Sequence, residues 1–205
     1  MATRPVVVVL AAGRGSRFAG ERHKLEQAID GVSVLGHALR HVIESHLPFV
    51  VVTSAALAPL AQHSVVARDM LVLDEALPVG MGHSIAAGVA ARPHASGWLL
   101  LPGDMPLVRP ATLLAVAAAL ADHHAVVYAQ HRGRHGHPVA FGAELFSELI
   151  ALDGDEGARR LVARYPAHAV DVEDPGVLIG VDTQQDLDSL LLAQQAERAS
   201  YRTSA

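Results

Sequence analysis

Cysteine is absent from all 205 residues, which excludes a disulfide scaffold, a thiolate zinc site and a cysteine nucleophile. The same absence fits a protein of the reducing cytoplasm. Aromatic side chains are scarce, at 4%, so Val, Leu, Ile and Ala must fill the core, as they do where parallel strands pack under helices. Positive charge is not in excess either. Lys and Arg number 16 against 21 Asp and Glu, a formal net charge of −5, and this argues against binding a nucleic-acid polymer. The longest strongly apolar helical stretch, Ala111 to Ala121, falls well short of the roughly 20 residues that cross a bilayer, so no membrane span is expected. Arg4 followed by the apolar run Val6 to Ala12 faintly resembles a signal peptide. Arg14 and Arg17 follow at once, and a buried strand entering a glycine turn explains the run better.

What is present is a chain that folds, 51% hydrophobic and 18% charged, with the length of about one domain. We expect residues 1–205 to form a single domain whose tail frays from about residue 200. Short apolar runs alternate with helix-period segments, the pattern of a parallel sheet with crossover helices. Val6 to Leu10, Phe49 to Val52, Met70 to Leu73, Trp98 to Leu101 and the run from Ala125 to Ala129 read as strands. Helices are expected at about Ser33 to His46, Leu57 to Gln62, Ser84 to Ala91, Pro110 to Asp122, Ala143 to Leu152 and Glu156 to Arg164. Arg132 to Pro138 reads as a loop or hairpin, with short strands near His168 to Val172 and Val177 to Ile179. Thr183 and Asp186 resemble a capping box for a last helix.

After the first strand, Leu10-Ala11-Ala12-Gly13-Arg14-Gly15-Ser16-Arg17-Phe18 places glycines and successive N–H groups at the strand's carboxyl end, where α/β folds bind ligands. Arg17 and Lys24 add full positive charge for a polyphosphate. A dinucleotide fingerprint fails because Phe18 stands where glycine or alanine is needed. A Walker loop fails because Gly20 is followed by Glu21-Arg22 rather than by Lys and Ser or Thr. A tight solvated turn with two scattered cations is the plainer alternative.

Two carboxylates stand at further strand ends. Asp104 follows Trp98 to Leu101 within Pro102-Gly103-Asp104, and Asp182 follows an apolar run and Gly180. Magnesium takes one or two protein carboxylates and bridges phosphates, so Asp104 and Asp182 are candidate metal residues. Alternatively, Asp104 forms a turn and Asp182 or Thr183 caps a helix. Among 13 histidines, His131, His135 and His137 could form a zinc or molybdenum site on one loop. Polar surface is the commoner role for such a stretch.

Taken in order, Leu10 to Phe18 with Lys24, Gly80-Met-Gly-His-Ser84 with Ala87-Gly88, Leu101-Pro-Gly-Asp-Met-Pro106, Gly136-His-Pro-Val139, Gly154-Asp-Glu-Gly-Ala-Arg159 and Val181-Asp-Thr183 resemble the molybdenum cofactor cytidylyltransferase family. The resemblance covers about Val6 to Leu191. It implies a three-layer Rossmann-like nucleotidyltransferase fold, mostly parallel with a small antiparallel insertion. The implied reaction moves CMP from CTP to molybdopterin-bound molybdenum with release of pyrophosphate. Leu10, Ala11, Ala12, Gly13, Arg14 and Gly15 would then cradle the nucleotide, and Gly80, Gly82 and Ser84 would frame base and ribose. Catalytic roles would fall to Arg17, Lys24 and Asp104, with Mg²⁺ on Asp104 and Asp182, while His137 and Asp155 would face the acceptor. The interval from Arg17 to Lys24 is longer than the family's compact pattern. Related guanylyltransferases more often read Leu-Ala-Gly-Gly where this chain reads Leu10-Ala11-Ala12-Gly13, which favours cytidine. Open alternatives are guanylyl or other nucleotidyl transfer to a different small phosphorylated acceptor, and a non-catalytic nucleotide or cofactor carrier. A molybdoenzyme or its chaperone would be the protein partner.

Overall fold

The computed structural model describes residues 4–16, 18, 22–74, 80–121 and 124–192. Arg17 and the tail from about 200 therefore lie outside the described residues. In chain order the elements are β1 (Val6–Ala11), the short β2 (Ala28–Ile29) and β3 (Val32–Ser33), α1 (Val34–Glu44), β4 (Phe49–Ser54), α2 (Ala58–Gln62) and β5 (Met70–Leu73). Next come α3 (Met81–Ala90), β6 (Gly97–Pro102), α4 (Pro110–Ala121), β7 (Val126–His131), β8 (Arg134–Gly142), α5 (Phe146–Ile150), α6 (Arg159–Arg164) and β9 (Ala167–Asp171). A further helix, α7, occupies 184–192, up to the limit of the described residues.

Seven strands form one sheet in the order β5-β4-β1-β6-β8-β7-β9, and β2 pairs with β3 in a small antiparallel sheet. Among the described strands of the seven-stranded sheet only β8 runs against its neighbours, pairing antiparallel with both β6 and β7, while the other pairs of that sheet are parallel. This is a three-layer Rossmann-like fold. Its sequence cause is visible in β1, where Val7, Val8 and Val9 are fully buried because both faces of the strand are covered. Val7, Val9 and Ala11 join the core that includes Leu35, Leu39, Leu113 and Val116 of α1 and α4. Val6 and Val8 point the other way, into the core with Ile85 and Val89 of α3 and Leu149 of α5. Period-two alternation thus feeds two layers at once. Among the described residues no helix is long and apolar enough to cross a membrane.

Several elements depart from the expected boundaries. Of the loop or hairpin expected from Arg132 to Pro138, the structure shows the hairpin: Arg132 and Gly133 make the turn, with φ of 50° and 75°, the left-handed pair of a tight hairpin, and β8 starts at Arg134. Val177 to Ile179 is not a strand, because Pro175–Leu178 forms a 3-10 turn capped by Asp174, which accepts from the Gly176 N–H at 3.0 Å. The same buried carboxylate accepts from Arg109 N at 2.8 Å and Thr112 Oγ1 at 2.6 Å, so it also caps the start of α4. The helix expected from Ser84 begins at Met81, the one expected from Ala143 opens there as a 3-10 turn and continues as Phe146–Ile150, and the one expected from Glu156 is shortened to Arg159–Arg164.

The start of α3 packs against the 153–157 segment at backbone distance. Gly82 N–H donates to Gly154 O at 2.8 Å, and a Cβ at Gly82 would collide with the Asp153 backbone. Gly82→Ala is therefore expected to lower unfolding free energy by about 1–3 kcal/mol, as forced overpacking does, in a urea titration. Burial pushes the His41 imidazole below its usual 6.5, with Arg40 and His37 adding to the effect and Glu44 opposing it. The unfolded chain then takes up the proton more readily, so this contribution is present above pH 6.5 and is lost as pH falls. Urea midpoints measured from about pH 7 down to about pH 5 should fall, and fall less in His41→Leu.

Candidate functional site

The carboxyl ends of β1 and β6 lie side by side at the point where the sheet order reverses, with β4 and β5 on one side of β1 and β6 on the other. Open α/β sheets bind ligands in the crevice at such a point. Gly103 N–H donates to Leu10 O at 2.9 Å, tying the two strand ends together and placing Asp104 beside the glycine turn. A third segment arrives from far along the chain: Val181 N–H donates to Asp104 O at 2.9 Å, which sets Asp182 next to Asp104. The Thr183–Asp186 capping box fixes the entry into α7, the Asp186 carboxylate accepting from Asp182 N at 3.1 Å and Thr183 N at 2.7 Å. Hydrogen bonding from Thr183 holds the Asp186 carboxyl below its usual range.

Lys24 closes this arrangement. Its Nζ lies 2.5 Å from Asp104 Oδ2 and 2.5 Å from Asp182 Oδ1. The Lys24 and Asp104 side chains are only 13% and 18% exposed and Asp182 is 37% exposed, so the pairing is shielded from bulk water and screened less than a surface ion pair. Burial pulls the ammonium toward neutrality, but the charge and hydrogen bond of Asp104, joined by those of Asp182, outweigh it and raise the Lys24 pKa above 10.5. The lysine therefore stays charged throughout the neutral range.

The glycine turn is the second wall. Ala11 and Ala12 are buried, Leu10 is half-buried, and Gly13 and Arg14 are exposed. Gly15 has φ +62°, and a Cβ there would meet the His23 ring at 2.8 Å. Gly80, Gly82 and Ser84 form a third region around the start of α3. Gly82 and Ser84 are buried in the helix, and Ser84 donates to Gly80 O at 3.4 Å. The 153–157 segment packed on this helix carries Asp155, which is exposed. Two motifs that read separately in the sequence are thus one structural unit.

His137 comes from β8. Val139 pairs with Leu100 of β6, so the start of the reversed strand runs on past β6 toward Asp104. Burial pushes the His137 pKa below its usual value, while the nearby Asp104 charge opposes that and His135 adds to it. His131 and His135 are otherwise engaged. His131 Nδ1 bonds to Val172 O at 2.8 Å, and the His135 ring lies 3.9 Å from that of Tyr128. Among the described residues no group of three or more His, Cys, Asp or Glu is placed to hold a metal ion.

The structure therefore brings together Lys24, Asp104 and Asp182, with the Leu10–Gly15 turn on one side and His137 within electrostatic reach. One residue of the cluster is not singled out by sequence reasoning: His23. It is the N-cap of the Lys24–Glu26 turn in a capping box with Glu26. The spacing to Glu26 is the available signal, but histidine is not among the residue types usually sought at an N-cap.

Residues 7–170 match the family model of the MobA-like NTP transferase domain. Purine catabolism protein PucB of Bacillus subtilis is 30% identical over 194 residues, 88% of this chain and 93% of PucB. The bifunctional protein GlmU of Dinoroseobacter shibae is 32% identical over 154 residues, 72% of this chain, and the match spans 34% of GlmU's own length. Among solved structures, Rv0371c of Mycobacterium tuberculosis superposes with a TM-score of 0.76 at 29% identity, covering 92% of this chain and 98% of that one. Rv0371c has also been crystallised in complex with manganese, with a TM-score of 0.74 at 28% identity and the same coverage. Matched by the family model over residues 7–170, and 30% identical to PucB over 88% of its length, the chain belongs to the MobA-like NTP transferase family and is a nucleotidyltransferase.

Proposed function

We propose that this nucleotidyltransferase moves CMP from CTP to molybdopterin-bound molybdenum cofactor, releasing pyrophosphate, in the reducing cytoplasm. The observation that carries the reading is the Lys24 ammonium held between Asp104 and Asp182 beside a glycine turn at the sheet's switch point. The terminal phosphate of the pterin attacks the α-phosphorus of CTP; one P–O bond forms, another breaks, and the β- and γ-phosphates leave together. The attacking phosphate is already anionic, so positioning and charge neutralisation do the work and no general base is needed. Arg14, Gly13 and Gly15 offer the phosphates backbone N–H groups, and Lys24 offers a full charge. Arg17 is assigned to the same triphosphate.

Cytidine is favoured by Ala12 within Leu10-Ala11-Ala12-Gly13. Gly80, Gly82 and Ser84 frame base and ribose in this reading, and His137 and Asp155 face the pterin. The product would pass to a molybdoenzyme or its chaperone. Asp104 and Asp182 are suited to a divalent ion, because their oxygens already converge on one cation and Mg²⁺ completes its shell with water and substrate phosphates rather than a third carboxylate. Bound there, Mg²⁺ supplies neutralisation of the developing pyrophosphate charge. The manganese complex of Rv0371c supports divalent-ion use.

Pyrophosphate release should be measured with Mg²⁺ and molybdenum-loaded molybdopterin, offering CTP, GTP, ATP and UTP in turn. CTP-selective release is expected. GTP-selective release would move the base assignment, and nucleotide binding without release from any of the four would turn the reading toward another acceptor or a carrier. Asp104→Asn should cut kcat/KM by about 10²-fold or more and raise the Mg²⁺ concentration needed for half-maximal rate. In Lys24→Ala the two effects should part: turnover falls, while Mn²⁺ binds more tightly in the absence of nucleotide, because the competing ammonium is gone. Titration of Mn²⁺ by electron paramagnetic resonance reads the second effect.

A further inference from the structure

His23 joins the two nucleotide-facing segments of the site. On one edge of its ring, Nδ1 accepts the Leu25 N–H at 3.1 Å and so caps the turn that carries Lys24. On the other edge, Nε2 lies 2.9 Å from the Gly13 carbonyl. A neutral ring with its proton on Nε2 satisfies both at once. The ring's own backbone is fixed as well, since His23 N–H donates to Glu26 Oε2 at 2.9 Å and Glu26 N–H returns a bond to His23 O at 2.9 Å. Gly15 lies against the ring with no room for a side chain, and Phe18 N–H closes the turn on Gly15 O at 2.9 Å.

A planar trans peptide points its N–H opposite to its C=O. Holding the Gly13 carbonyl on His23 therefore turns the Arg14 N–H away from the ring. We propose that His23 is a positioning residue that orients the 13–14 peptide for the triphosphate and links that peptide rigidly to Lys24. The proposal rests on the nucleotidyltransferase reading. It needs no contact between His23 and substrate. By fixing the loop before the nucleotide arrives, His23 removes an ordering cost from binding.

The two ring nitrogens can be tested separately. Asparagine places an acceptor where Nδ1 stands and cannot reach Gly13, whereas glutamine places an amide N–H where Nε2 stands. His23→Asn is expected to keep the wild-type urea midpoint and to weaken Mg²⁺·CTP binding about tenfold by calorimetry, the scale of one lost hydrogen bond. His23→Gln is expected to do the reverse, with a lower urea midpoint and CTP affinity within about threefold of wild type. If affinity in the two variants follows their stability, or neither loses affinity, His23 is a structural cap only and the proposal fails. If wild-type protein binds none of the four nucleoside triphosphates, the nucleotide reading fails and takes this inference with it.

Discussion

One ammonium shared by two carboxylates joins segments that are far apart in the chain. Lys24 is 80 residues from Asp104 and 158 from Asp182, and the three meet because β1, β6 and the 180–183 segment end at the same edge of the sheet. Without the lysine, Asp104 and Asp182 would face each other as like charges in a half-buried cleft. The backbone contacts that set the geometry, Gly103 to Leu10 and Val181 to Asp104, are those that keep this cation between the two acids. Fold and site are in this sense one arrangement.

Most of the sheet is legible in the sequence because its strands are buried on both faces. Val6 to Val9 and Trp98 to Leu101 are continuous apolar runs, and such runs leave little freedom in how they pack. The carboxyl-end positions of Gly13 and Asp104 follow directly from those strands. Helix α1 can be placed to within two residues, with Ser33 accepting from Gly36 N at 3.0 Å as its cap. Elsewhere pairing across space or a local cap decides. The basic, glycine-rich Arg132 to Pro138 leaves loop and hairpin open, and pairing of Gln130 with His135 and His131 with Arg134 decides for the hairpin. Val177 to Ile179 is apolar, yet Pro175 and the Asp174 cap make it a turn.

The site is legible residue by residue but not as a set. Nothing in the spacing of Lys24, Asp104 and Asp182 announces that one nitrogen touches both acids, because their distance in sequence carries no record of the crossover path. The union of Gly80-Met81-Gly82 with Asp153 and Gly154 is hidden for a similar reason. Two glycine-bearing motifs look alike whether or not their backbones meet. His23 is hidden by type, since an imidazole that caps with one nitrogen and tethers with the other fits neither a standard cap nor a standard ligand pattern.

The reversed strand β8 gives the cleft unequal sides. Parallel strands deliver loops to the ligand edge, but a strand running the opposite way delivers its own beginning, with part of its ladder already formed there. The side carrying His137 is therefore built of hydrogen-bonded hairpin, and the facing side of turns and helix starts. Deforming a ladder breaks several bonds together, whereas a turn can shift one peptide at a time. The hairpin is therefore the stiffer wall of the cleft, and the glycine turn opposite keeps its shape through single tethers such as the one from His23 to Gly13.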